Sequence, residues 1–170
     1  DRILALLSSK LKEIRLELKK NQKLLTKLDI IFAKAKYSIH LKAVKPELSN
    51  EKIIDIQGMY HPILTEIKKD VVKNDFVLGK TYNCLLITGS NTGGKTIALK
   101  TAGLLTLMTK AGLFIPCLGG KIHPFEKIYC DISKEQSLEQ GFSTFSAHIK
   151  NIKEILDNIA REYNKNCLEY

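Results

Sequence analysis

The eight residues Gly89-Ser90-Asn91-Thr92-Gly93-Gly94-Lys95-Thr96 constrain this 170-residue chain more than any other stretch. They match the pattern G-x-x-x-x-G-K-[ST], in which each fixed position has a physical duty. The glycines let main-chain N–H groups curl around phosphate oxygens, Lys95 reaches the β- and γ-phosphates, and the Thr96 hydroxyl ligates Mg²⁺. The flanks agree with that reading. Cys84-Leu85-Leu86-Ile87-Thr88 is a short apolar run that reads as a buried strand. Residues 95–110 favour helix, and Gly112 is a natural stop just beyond them. Strand, glycine loop, helix is the order an anion site needs, because the helix N-terminus adds its dipole. The expected ligand is ATP with Mg²⁺, held by Gly89 to Thr96 and the adjoining Ile97.

Before this core the sequence has a different character. Leu4, Leu7, Leu11, Ile14, Leu18, Leu25, Leu28, Phe32, Ala35 and Ile39 recur in steps of three and four, with only Asn21 breaking the series. That is an a/d seam over about five heptads, flanked mostly by Lys, Glu, Arg and Gln. Residues 1–43 therefore read as a helical, coiled-coil-type arm whose seam takes a partner helix; a core helix of a compact domain is the alternative. Pro46 and Leu48-Ser49-Asn50 end the arm, which sets a domain division near residue 50: an arm over 1–50 and a nucleotide-binding part over 51–170.

Beyond that division, Ile53-Ile54-Asp55-Ile56 is a strand candidate, Tyr60-His61-Pro62 a turn, and residues 71–75 lead into the turn before the loop strand. Gly119-Gly120 reads as a turn leading to Lys127-Ile128-Tyr129-Cys130-Asp131-Ile132, a second buried strand. Phe145, His148, Ile149, Ile152, Ile155, Leu156 and Ile159 define a helix packed on one side. Alternating strands and helices imply an α/β fold with a parallel sheet. His148 falls on that last helix with no partner indicated, and neither His40 nor His123 suggests a role.

The charge is uneven. The net charge is +9, and residues 1–50 hold 12 Lys/Arg against 5 Asp/Glu. Such a segment suits either a nucleic-acid partner or a solvated helical face. Lys19, Lys20 and Lys23 are the candidates for phosphate contact. No apolar run approaches the ~20 residues that span a bilayer, which argues against a membrane role. Four scattered cysteines without C-x-x-C spacing suit reduced thiols of a cytoplasmic protein rather than a zinc site. The start at Asp1, already inside a helical pattern, suggests an excised piece.

The loop, followed by Lys100-Thr101-Ala102-Gly103-Leu104-Leu105 and Ala111-Gly112-Leu113-Phe114-Ile115-Pro116, resembles the ATPase domain of the MutS family. The MutS-two branch is favoured by Phe32-Ala33-Lys34-Ala35-Lys36, Lys45-Pro46-Glu47-Leu48, Tyr60-His61-Pro62, Asn74-Asp75, Asp131-Ile132 with Glu135-Gln136-Ser137, and Ser143-Thr144-Phe145-Ser146. The matches run from about residue 30 to residue 160. Mismatch-repair MutS is the nearer rival; its loop usually ends in Ser and has Met where Thr92 stands. A non-enzymatic coiled-coil interaction fragment with a vestigial loop is the reading from another class.

The resemblance implies an ABC-like P-loop ATPase core whose two copies meet face to face as a homodimer. It places Ser143 in trans, near the γ-phosphate held by the partner's Lys95; a helix N-cap is the structural alternative. It gives Gln136 a place beside Mg²⁺. Near adenine the family often has a stacking aromatic, where this chain has Val71-Val72. His61 stands in the family's His-Pro turn, with nucleotide contact and a hydrogen bond bracing the turn both open; Tyr60 replaces the usual Arg and Ser90 the usual Pro. Hydrolysis also needs carboxylates for Mg²⁺ and water. In the family these follow an apolar strand, and nothing after Ile132 fits, so the chain is expected to stop before that strand and to bind nucleotide without hydrolysing it alone. The full-length parent is expected to be an ATPase with a nuclease domain, acting in the cytoplasm on branched or mismatched DNA, in recombination or repair, or on stalled ribosomes and their RNA.

Overall fold

The computed structural model describes residues 2–67, 70–90, 93–132 and 141–167. Two helices open the chain: α1 (Arg2–Glu13) and α2 (Arg15–His40), separated at Ile14. The arm is thus helical, as the periodicity predicts, although not in one piece. Its seam faces solvent: Leu7, Leu11, Leu18, Leu28 and Phe32 are all exposed. No helix covers it among the described residues, so pairing along the seam is not part of this structure. None of the described helices is long and apolar enough to cross a membrane.

The end of α2 is a helix stop built without glycine. The Ala43 N–H donates to the Ser38 carbonyl and the Lys42 N–H to the Ile39 carbonyl, while Lys42 takes φ 50°. That is a Schellman arrangement with a lysine in the left-handed position usually given to Gly. Three ties then hold this end to the body. Lys34 Nζ donates to the Ala111 carbonyl at 2.5 Å, the Tyr60 hydroxyl donates to the Leu41 carbonyl at 3.0 Å, and Val44 and Ile115 exchange main-chain hydrogen bonds. Tyr60 thus has a structural task here.

The body is a four-stranded sheet in the order β1 (Glu47–Leu48), β4 (Gly119–Ile122), β2 (Ile54–Met59), β3 (Asn74–Leu78). A one-turn helix, α3 (Leu64–Ile67), lies between β2 and β3. β2 pairs antiparallel with β3 and with β4; only β1 and β4 run parallel. This corrects the expected parallel sheet. The apolar runs 84–88 and 127–132, both expected as buried strands, carry no strand structure. A strand exists only through a ladder partner, and among the described residues no β-ladder includes either run; Leu86 is 84% exposed. Gly119-Gly120, expected as a turn, lies inside β4. A Cβ on Gly120 would come within 3.3 Å of the Ile115 side chain, so the missing side chain permits close packing there. The strand near residue 53 is present as β2, and residues 74–75 open the strand β3.

The helix α4 (Lys95–Lys110) follows the glycine loop, with Thr101, Ala102, Leu105, Thr106, Met108 and Thr109 buried. That spacing is one helical face. Its three buried threonines are satisfied by bonding back to carbonyls one turn earlier, Thr106 to Ala102 at 2.8 Å for example. Ala102, Leu105 and Met108 join Leu41, Ile56, Met59, Phe76, Ile115 and Ile122 in the core. The helix ends as predicted, with Gly112 at φ 72° and the Leu113 N–H on the Met108 carbonyl at 2.9 Å. Asp1–Phe125 form one compact unit and Glu126–Tyr170 another. In the second, α5 (Gly141–Cys167) carries the expected amphipathic stripe, but Phe145, Ile149, Ile152, Leu156 and Ile159 are exposed rather than packed.

Candidate nucleotide site

Gly89 and Ser90 precede the turn into α4, and the Gly93 N–H closes it on the Ser90 carbonyl at 3.0 Å. Gly94 caps the helix in the left-handed region, φ 77° and ψ 9°, without any side-chain bond to the first turn. The Ala98 N–H is already paired, on the Gly94 carbonyl at 2.9 Å. The N–H groups before it have no partner further back in the helix, which is the general condition of a helix start. The site thus presents open donors at the positive end of a 16-residue helix, with no acidic residue in the first turn.

Lys95 belongs to that first turn, and a cation there opposes the helix dipole. It is compensated inside the loop: Nζ donates to the carbonyls of Gly89 and Ser90, both at 2.5 Å. The ammonium therefore sits against the main chain of Gly89 and Ser90, in an exposed position. A Cβ on Gly93 would lie 3.1 Å from the Ser90 carbonyl, so a side chain there would crowd the curl. Thr96 and Ile97 follow, exposed on the same turn. Asn91, Thr92 and Gln136 fall outside the described residues. Ser143 lies in the first turn of α5, with its side chain outside the described set.

The two residues expected near adenine are placed differently. Val71 is half-buried just before β3. His61 is half-buried in the turn after β2, and the turn is closed by its main-chain carbonyl, which accepts from the Leu64 N–H at 3.1 Å. The ring Nδ1 of His61 is buried and has no hydrogen-bond partner among the described residues. Burial, and then the nearby Lys100 on α4, hold the His61 pKa below its usual value and favour the neutral ring.

A polar cluster in the second unit escaped the sequence reading. His148, for which no partner was indicated, bonds through Nδ1 to Asp131 Oδ2 at 2.8 Å. Asn151, three residues on, donates Nδ2 to Asp131 Oδ1 at 2.8 Å and to the Cys130 carbonyl at 3.3 Å. Both carboxylate oxygens are engaged, and the hydrogen bonds from Asn151 and His148 hold the Asp131 pKa below its usual value. The available signal was His148 and Asn151 at i, i+3 on one helical face with an acid upstream.

Residues 85–163 match the family model described as MutS domain V. Proteins named Endonuclease MutS2 are similar to almost the whole chain. One from Geobacillus sp. (strain WCH70) is 49% identical over 95% of this chain, one from Ligilactobacillus salivarius 49% over 94%, and one from Clostridioides difficile (strain 630) 43% over 95%. This chain spans about 20% of the length of each of these relatives.

Proposed function

This chain belongs to the MutS family, in its MutS2 branch, and from that premise we propose that Gly89 to Thr96 form the nucleotide-binding half of a composite ATPase site. One observation carries the reading: Lys95 Nζ is held on the Gly89 and Ser90 carbonyls at the uncapped start of α4. A phosphate entering there meets the ammonium, the open N–H groups and the helix dipole together. Gly93 and Gly94 give the curl that such an approach requires, and Thr96 is exposed on the adjoining turn, where its hydroxyl would hold Mg²⁺. The metal, when bound there, would neutralise charge that develops on phosphoryl transfer.

The chain's own residues bind and orient. Lys95 trades two carbonyl acceptors for phosphate oxygens, and the half-buried His61 ring, held toward its neutral form by burial and by Lys100, is assigned to nucleotide contact. Ser143, at the start of α5, acts on the nucleotide of a second copy, and Gln136 beside Mg²⁺. Hydrolysis by residues 1–170 alone is not expected, since the sequence has no Asp-Glu pair following an apolar strand to hold the metal and water. The division into an arm over 1–50 and a nucleotide-binding part over 51–170 belongs to the same proposal.

The relatives are named endonucleases, so the whole protein is proposed to work on DNA, with the basic arm, including the exposed Lys19, Lys20 and Lys23, lying against phosphates. Titration of the chain with ATP, with and without Mg²⁺, tests the central claim. Binding that needs Lys95 and is lost in Lys95→Ala supports it; equal binding by the Lys95→Ala variant refutes it. ATP turnover by residues 1–170, lost in the same variant, would refute the expectation of binding without hydrolysis.

A further inference from the structure

Within residues 126–167, polar contacts tie α5 to the described chain before it. The stripe Phe145, Ile149, Ile152, Leu156 and Ile159 is exposed. What joins α5 to Cys130 and Asp131 is a set of three hydrogen bonds: His148 Nδ1 to Asp131 Oδ2, Asn151 Nδ2 to Asp131 Oδ1, and Asn151 Nδ2 to the Cys130 carbonyl. His148 and Asn151 are one turn apart on the same face. They grip both oxygens of one carboxylate, which fixes its orientation as well as its distance.

The geometry has a direction. The first turn of α5 holds Ser143 and Thr144, and His148 lies about one turn further along. A helix transmits a displacement rigidly over one or two turns, so where Asp131 holds His148 decides where the first turn stands. We propose that Asp131, through His148 and Asn151, positions the first turn of α5, with Ser143 and Thr144 in it, against the nucleotide held by a second copy of this chain. This deepens the composite-site reading and rests on it. Asp131 and His148 act here as positioning residues.

The chemistry of the His148 side chain separates this role from direct catalysis. The bond to Asp131 uses Nδ1, and the side-chain nitrogen of Asn occupies the same branch from Cγ. His148→Asn therefore keeps the donor to Asp131, whereas His148→Gln moves its nitrogen to the Nε2 position. Misplacement of a reacting group by about 1 Å costs roughly 10²-fold in rate. In the full-length protein that carries this chain, Asp131→Leu and His148→Gln should lower kcat for ATP by about that factor, with ATP affinity within about twofold and His148→Asn close to wild type. Hydrogen exchange in the first turn of α5 should quicken in the two defective variants and stay at the wild-type rate in His148→Asn. Unchanged ATP affinity shows that the variants are folded.

Mixing subunits tests the trans geometry. A Lys95→Ala subunit paired with an Asp131→Leu subunit leaves one site with an intact loop and an intact opposing α5. An equimolar mixture should recover roughly a quarter of wild-type turnover, half the dimers being mixed with one good site each. No recovery would place Asp131 in its own subunit's site and overturn the proposal, as would His148→Gln retaining activity while His148→Asn loses it. Wild-type turnover with Asp131→Leu unaffected overturns this inference alone. A wild-type protein without ATP turnover overturns the composite site and this inference with it; the exchange rates of α5 would then report a clamp of structural purpose only.

Discussion

Gly94 offers a clean test of the loop, because its two possible reasons for being glycine can be separated. The residue takes φ 77°, and a Cβ built on it meets nothing within 4 Å. Space is therefore not the reason; backbone conformation is. An L-residue in the left-handed region costs roughly 1–2 kcal/mol. Gly94→Ala should lose that amount, divided between stability and nucleotide affinity according to whether the free loop relaxes. In affinity alone it corresponds to about a 5- to 30-fold rise in Kd for ATP. Asn tolerates this region better than Ala, so Gly94→Asn should recover part of the loss despite its larger side chain. Calorimetric titration with ATP and a urea denaturation curve on each variant measure the two shares. If Gly94→Ala changes neither by more than about twofold, or if Asn is as harmful as Ala, the conformational argument fails. A loss beyond 100-fold would mean that the added Cβ obstructs the ligand itself.

Three further outcomes follow from the same structure. Leu105 is fully buried on the inner face of α4, so Leu105→Ala should cost about 2–5 kcal/mol in urea denaturation; a cost under about 1 kcal/mol would mean that the core collapses around it. His61 is held neutral in the fold, so the unfolded chain binds more protons from the usual pKa of 6.5 downward. Stability should thus be complete above pH 6.5 and fall as pH drops through it, and melting temperatures between pH 8 and 5.5 should show a shallower slope in His61→Asn. Lys42, at φ 50°, carries the left-handed turn that ends α2, so Lys42→Gly should raise stability by roughly 0.5–1 kcal/mol after the added freedom of the unfolded chain is counted, a rise visible in the melting temperature.

What the sequence disclosed was local. The glycine loop, α4 with its Gly112 stop, and the helical arm are written in short-range spacing and in the residues that tolerate left-handed backbone, and all of them are present. The segments 84–88 and 127–132 were misread for the opposite reason. An apolar run of five or six residues becomes a strand only when a second strand supplies its hydrogen bonds, and that information lies elsewhere in a chain. Gly119-Gly120 misled because a pair of glycines signals a turn locally, whereas here the absent side chains let β4 approach Ile115 and the main chain of Asp55. Lys95 meets the Gly89 and Ser90 carbonyls only five and six positions away, a short-range contact of the kind that spacing discloses. The site was illegible where the meaning lies in a distant partner: Asp131 and His148 are 17 positions apart, and neither alone announces the other.

The three ties at the end of α2 have a mechanical consequence. A helix of 26 residues is about 39 Å long. Clamped at Lys34, Leu41 and Val44, it cannot pivot freely at its base and must turn with the body that holds it. A rotation there of only about 10° would carry the far end of α2 through roughly 7 Å, more than one helical pitch. The attachment near Ala111 lies at the opposite end of α4 from the glycine loop, so one rigid rod joins the foot of that lever to the loop. A displacement of α4 would therefore be felt both at Lys95 and at the foot of α2.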